Sequence, residues 1–412
     1  MMRSRLSAAK RGRRVKARSL SESAINSRKH RPDYVILVLM SALLVCGAVV
    51  VYAIGPGLTT GTNLGDNYYS SKQTTAILLG LLGFGIAAFI PLEKWKKYQL
   101  HIIIAAVAAA LLVRFIGEEI NGAHRWIQVG GFSFQTAELV KLALVLWLAR
   151  YLSQKRTSGQ IADDSTLKHL GVLVVAIIVL VAGLQSDLGS AAVMVAIVGL
   201  SAFIAGLPFK RLGIVALVFL LLSVVAISSS PYRRDRVSTF LNPTADCQAE
   251  GYQACQALIT IGSGGVFGKG LGKSVQAYGY LPEPANDSIF AIVAEKFGFL
   301  GAAAVLGIFW ALFRRVARVA QSAPTEYARI LVAGVLIWLS VQMIINVGAM
   351  VGLLPLKGIT LPFVSYGGTS IIFVMTAMGI VFQVSRYTDL GGPNKTASGV
   401  QTPVRTQYRR RV

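Results

Sequence analysis

The sequence predicts an all-α, polytopic integral membrane protein with ten transmembrane helices, both termini in the cytoplasm and one long extracytoplasmic loop between helices 7 and 8. Three observations predict it. Of the 412 residues, 54% are hydrophobic and only 14% charged, too apolar for a soluble core of this size to absorb. Ten stretches of about 17 to 25 apolar residues recur, each long enough to cross a bilayer as a helix. The basic residues are also uneven. With both termini and the even-to-odd connections set on the cytoplasmic side, 30 of the 41 Lys and Arg fall inside and 8 outside; Arg114, Lys141 and Lys296 lie within spans. That asymmetry orients the chain N-in and C-in.

In order, a tail at 1–33 comes first, with eleven Lys or Arg and Ser-rich spacing, the composition of a disordered cytoplasmic segment. No small-residue cleavage site follows the first apolar run, so a signal peptide is not expected. The transmembrane domain covers 34–386, with spans at 34–54, 74–91, 100–117, 137–153, 168–184, 188–207, 210–229, 288–313, 327–350 and 364–385. The connection at 230–287 is the long loop, of a length that is usually functional or disordered. A second basic tail, 387–412, ends in Arg409, Arg410 and Arg411. The net charge of +23 would suggest nucleic acid in a soluble protein. Here it fits cytoplasmic loops facing anionic lipid, and no nucleic-acid partner is expected.

Ionisable residues inside spans are costly and need a partner, a wet cavity or a function. Glu138 and Lys141 stand three apart on the fourth span, where they pair as a structural salt bridge or line a polar substrate cavity. Asp187, between the fifth and sixth spans, is placed to cap the following helix. Asp287 falls where Tyr280 to Asn286 gives way to the apolar run from Ile289. Position alone allows a helix cap there or a carboxylate placed to deprotonate a hydroxyl of a lipid-linked substrate. Arg125 with Trp126, Arg233, Arg234, Arg236 and Lys357 all belong to loops opening on the same outer face. Each is a solvated or head-group cation or part of a diphosphate clamp. Gly262, Gly264, Gly265, Gly268, Gly270 and Gly272 lack the strand-to-helix context of a P-loop and are read as tight turns where backbone packs closely, with a backbone nest near a lipid diphosphate as the alternative.

Six ordered motifs carry a family resemblance. Gly122-Ala123-His124-Arg125-Trp126-Ile127 is followed by Gln135-Thr136-Ala137-Glu138-Leu139-Val140-Lys141, then by Gln185-Ser186-Asp187-Leu188-Gly189 and Pro231-Tyr232-Arg233-Arg234-Asp235-Arg236-Val237. Tyr280 to Ala291 and Leu361 to Ser370 complete the set. They resemble the signatures of the SEDS family (FtsW, RodA and SpoVE). Thr136 and Ser186 stand where the family has proline, Ser288 where it has Phe, and Lys296 where it has a second Glu. Pro355 to Pro362, with its Lys-Gly pair, is closer to the FtsW form than to the RodA form.

The resemblance implies a peptidoglycan glycosyltransferase that polymerises lipid II outside the bacterial inner membrane, at the division septum. It places Asp287 at the family's catalytic aspartate. It also implies substrate contacts from Arg125, Trp126, Glu138, Lys141, Arg233, Arg236, Glu283, Lys357 and Ser365. A class B penicillin-binding protein and other division proteins are the implied partners. The sequence requires no cofactor; a divalent cation, Mg or Mn, is compatible with diphosphate chemistry. A RodA-like elongation polymerase, a lipid II flippase and a silent division scaffold are the rival readings. Cys247 and Cys255, close together in an oxidising compartment, are candidates for a disulfide, with two free thiols as the alternative. Cys46 reads as a small buried apolar residue.

Overall fold

The structure, a computed structural model, describes residues 31–388 apart from 61–62, 121–122, 130–131 and most of 229–250, where only 234, 238, 240, 247 and 248 are described. Both basic tails lie outside the described residues except for 31–33 and 387–388, and so do Arg233 and Arg236. Each of the ten predicted spans overlaps a helix. These are α1 (Tyr34–Thr59), α2 (Tyr68–Phe89), α3 (Leu92–Ile116), α4 (Thr136–Thr157), α5 (Asp164–Ile177), α6 (Leu188–Ile204) and α7 (Phe209–Ser228), then α9 (Ile289–Gln321), α10 (Glu326–Met350) and α11 (Gly368–Ser385). A shorter helix, α8 (Tyr252–Gly264), lies within the predicted long loop. Among the described residues, seven of these ten are long and apolar enough to cross a membrane: α1, α2, α3, α5 with its π-helical continuation Ile178–Leu184, α9, α10 and α11. This is a multi-pass membrane protein. Of the other three, α6 is apolar but shorter, and α4 carries Glu138, Lys141 and Arg150 along its length.

Burial separates the helices into an inner and an outer set. Helix α10 packs against α4, α6 and α9, while α11 runs along α2 in the most extensive contact of the bundle. Small residues make that approach possible, as is usual where helices meet in lipid. A Cβ on Gly379 of α11 would stand 2.4 Å from Phe84 O, and one on Gly83 of α2 would stand 2.5 Å from Thr376 Oγ1. The outer faces of α1, α2, α3, α5 and α7 expose large apolar side chains, among them Phe89, Phe115, Val172 and Leu217. In water such a belt would drive aggregation; against hydrocarbon it is the stable surface.

The all-α expectation needs one correction. Between α3 and α4 the chain forms a three-stranded antiparallel sheet, β1 (Glu118–Ile120), β2 (Ala123–Val129) and β3 (Phe132–Gln135), in the order β1-β2-β3. Trp126 pairs with Gln135 and Gln128 with Ser133. The segment is too short and polar for a span, and its alternation about Gly130-Gly131 is a hairpin pattern.

Helix α9 is broken. Gly298 has φ 68° and ψ −168°, a conformation essentially restricted to glycine, and the glycine-rich segment before it fills the gap. Lys269 N and Gly270 N donate to Glu295 O and Lys296 O, each at 2.9 Å, and Phe299 N and Leu300 N donate back to Gly265 O and Val266 O. Irregular backbone inside a membrane protein persists where protein satisfies it in this way. Gly264 and Gly268 serve close packing, since a Cβ there would meet Ala294 O at 2.0 Å and Lys296 O at 2.2 Å, whereas a Cβ at Gly262, Gly265, Gly270 or Gly272 would meet open space. Asp287 therefore stands at the start of a short half-helix, 289–297.

Candidate active site

Four segments far apart in sequence converge on one cleft of ≈350 Å³ at one end of the bundle. Tyr68 and Lys72 come from α2, Arg125, Trp126, Ser133 and Gln135 from the sheet region, Glu283, Asn286 and Asp287 from the turn before α9, and Gly358, Thr360, Tyr366, Gly367 and Gly368 from the approach to α11.

Asp287 is half-buried and faces both this cleft and a pocket of ≈10 Å³ behind it, which Lys357 and Asn346 also line. Ser288, not Asp287, occupies the N-cap of α9, so the carboxylate is not consumed by capping. The turn carrying it is held from three directions. Tyr366 N donates to Ala285 O at 2.8 Å. Ser365 Oγ donates to Asn286 O at 2.6 Å while accepting from Leu361 N at 2.7 Å. Asn346 Nδ2 donates to Asp287 O at 2.7 Å. Gly358, at φ 63°, brings backbone close to the carboxylate; a Cβ there would lie 3.6 Å from Asp287 Oδ2.

The charged groups sort by whether they line the cleft. Lys72 lines the cleft, with Nζ donating to Tyr68 Oη at 2.7 Å. Arg125 lines it too, while Nε and Nη2 donate to Gln185 O at 3.3 Å and Ser186 O at 2.6 Å, carbonyls left without helical partners where the π segment ends. Glu283 is exposed on the cleft wall and accepts from Asn286 Nδ2. Glu138 and Lys141, by contrast, are 2% and 1% exposed, lie behind the cleft and pair at 2.6 Å. Ser365 is likewise buried, its hydroxyl engaged in bracing. Asp187 caps α6, accepting from Ser190 N at 2.9 Å. Cys247 and Cys255 are joined as a disulfide with Cα atoms 5.6 Å apart, and Cys46 is a free thiol.

Among the described residues, three non-glycine residues have positive φ: Ser186 (53°), Glu283 (49°) and Phe363 (65°). All border the site: beneath Arg125, on the cleft wall and in the Leu361 to Ser365 brace. Strained backbone of this kind clusters at functional sites. Sequence reasoning did not single out Tyr68, Lys72, Asn286, Thr360 or Tyr366. For Lys72 a signal existed, because it is one of the few cations outside the predicted spans on the outer side.

Fold and site together define a multi-pass helical membrane protein with an aspartate-centred, cation-lined cleft at one end of the bundle. The chain belongs to the FtsW/RodA/SpoVE family, described as cell cycle proteins, whose sequence pattern matches residues 34–390. It is 33% identical to Stage V sporulation protein E of Bacillus subtilis (strain 168) over 367 residues, 88% of this chain and 100% of that one. It is 35% identical to the "Probable peptidoglycan glycosyltransferase FtsW" of Saccharophagus degradans, covering 86% of this chain and 92% of that one. A chain from the solved structure described as "Structural coordination of polymerization and crosslinking by a peptidoglycan synthase complex" superposes with a TM-score of 0.72 at 29% identity, over 86% of this chain and 98% of that chain.

Proposed function

We propose that this protein is a peptidoglycan glycosyltransferase that polymerises lipid II during septal wall synthesis, with Asp287 as general base. The observation that carries the reading is the position of Asp287, half-buried in a cleft that Lys72 and Arg125 also line. Asp287 accepts the proton of the acceptor GlcNAc hydroxyl as its oxygen attacks the MurNAc anomeric carbon. The bond from that carbon to the donor diphosphate breaks with inversion, and undecaprenyl diphosphate leaves. A diphosphate departs without protonation by a second acid, so cations replace the acid carboxylate of hydrolytic glycosidases. Lys72, Arg125 and Lys357 supply charge, together with Arg233 and Arg236 assigned from the sequence. A divalent cation, Mg or Mn, entering on the diphosphate fits the same chemistry.

Ten spans with both termini in the cytoplasm put the cleft on the outer face of the bacterial inner membrane. The convergence supports this topology: four of the five odd-to-even connections predicted outside, 55–73, 118–136, 230–287 and 351–363, contribute lining residues, and Arg125 binds carbonyls of the fifth, at Gln185 and Ser186. The likeness to a chain of a peptidoglycan synthase complex supports a class B penicillin-binding protein as partner. The similarity to FtsW supports a division role over elongation.

The test is polymerisation of labelled lipid II by the purified protein with its penicillin-binding partner. Asp287→Asn should lower the rate by roughly 10²–10⁴-fold, the usual contribution of a positioned base, with the melting temperature in detergent unchanged. Equal polymer from both proteins would remove Asp287 as the base. Polymer from neither, across partner and cation conditions, would turn the reading toward a flippase or a scaffold.

A further inference from the structure

We propose that Asn346 is a positioning residue for the reaction: its single amide group sets the distance between the base and the opposite wall of the cleft. The inference rests on the assignment of Asp287 as base. Asn346 is 2% exposed near the end of α10. Its Nδ2 donates to Asp287 O at 2.7 Å and to Ile359 O at 2.7 Å, so both amide hydrogens are used, one on each wall.

Neither carbonyl is a casual partner. Asp287 lies just outside α9, and the first backbone donors of that helix, Ala291 N and Ile292 N, go to Ser288 O. Ile359 lies between Gly358 and Thr360, which both line the cleft. Gln342, one turn earlier on the same face of α10, repeats the arrangement: Nε2 donates to Thr360 O at 3.0 Å and to Thr360 Oγ1 at 3.2 Å. Gln342 is itself fixed, because Oε1 accepts from Lys141 Nζ at 2.9 Å and Trp338 Nε1 at 2.8 Å.

The Tyr366 and Ser365 bonds hold Ala285 and Asn286, and Asn346 extends the bracing to Asp287 itself. The helix that follows Asp287 breaks at Gly298, so a short buried half-helix rather than a continuous rod follows the base. Helix α10 is continuous over 25 residues and can serve as the ruler. Misplacing a reacting group by about 1 Å can cost on the order of 10²-fold in rate.

The experiment measures lipid II polymerisation rate against lipid II concentration for wild type, N346D, N346S and D287N, with melting temperatures in the same detergent. N346D keeps the size and loses the donor. It should lower kcat roughly 10- to 100-fold with KM little changed, alongside a lower melting temperature, because the new carboxylate is buried against two carbonyl oxygens. N346S, which retains one donor, should fall between N346D and wild type. Wild-type kcat in folded N346D overturns the proposal. So does a rise in KM at constant kcat, which would mark a substrate contact, or a loss of melting temperature that tracks the loss of kcat in both variants, which would mark plain structural support. A wild type that makes no polymer, or a D287N as active as wild type, would overturn the assignment of the base instead, and is distinguished by those two lanes.

Discussion

The buried acids and the acids lining the cleft are chemically alike, yet their surroundings differ in kind. Glu138 is almost fully buried and holds Lys141, which also reaches Gln342 and lies 5.4 Å from the centre of the Trp338 ring. Glu295 is 0% exposed. It accepts from Val275 N at 3.1 Å, Gln276 N at 3.3 Å and Ser274 Oγ. Asp287 and Glu283 instead line open volume. An ionisable residue in an apolar segment therefore does not announce a substrate site. What separates support from chemistry is whether the side chain is enclosed by protein or lines the cleft.

The largest effect that would break this division is expected at Lys141. Lys141→Met leaves the Glu138 carboxylate buried without its cation, and breaking a buried pair costs about 3–5 kcal/mol. Thermal unfolding in detergent should show the loss, while the fraction that remains folded keeps its KM for lipid II. Removing both charges, in E138Q/K141M, should recover much of the stability, because a neutral pair carries no desolvation penalty. A stable Lys141→Met with a raised KM would instead move this pair into the substrate site, the other role its spacing on α4 permits.

Next in size is the break in α9. Gly298→Ala places a Cβ 2.3 Å from Gly268 N and 2.4 Å from Val266 O, against backbone that cannot swing aside. The backbone conformation alone costs about 1–3 kcal/mol for a residue other than glycine. The expected result is a lowered melting temperature, with polymerisation falling further than stability because the half-helix carrying Asp287 shifts. An unchanged rate in the folded variant would show that the supporting region tolerates movement that the cleft does not feel.

How much of this was legible beforehand depends on the range of the interaction. Apolar length fixed where helices would form, since it needs only neighbouring residues, and every predicted span overlaps one. Asp187 was readable as a cap for the same reason: its partner, Ser190, is three residues away. The sheet at 118–135 had a local signal in its alternation about Gly130-Gly131, but that signal was outweighed by the apolar pattern on either side. The break at Gly298 had almost none, because one glycine in Lys296-Phe297-Gly298-Phe299 does not interrupt an apolar run. The π segment after α5 likewise lacks a marker in Ile178 to Leu184. Asn346 and Gln342 were invisible for a different reason. Their partners Asp287 and Lys141 lie 59 and 201 residues away, and only the packed bundle brings them together.

The smallest stability effect gives the cleanest contrast. Glu295→Gln keeps the shape of the side chain, and its amide oxygen can still accept from Val275 N and Gln276 N while Ser274 turns its hydroxyl to accept. The lost charge faces Lys269 at 3.6 Å, but that lysine is 34% exposed, so solvent screens the pair and little is forfeited. The cost should be about 1–2 kcal/mol, set by weaker hydrogen bonds to a neutral acceptor, with polymerisation near the wild-type rate. Asp287→Asn makes the same carboxylate-to-amide exchange and is expected to do the reverse, abolishing most turnover at little cost in stability. Measuring both proteins by melting temperature and by polymer yield sets one substitution chemistry in two environments. If Glu295→Gln also removed activity at full stability, Glu295 would have to be counted with the cleft, and burial would no longer distinguish the two regions.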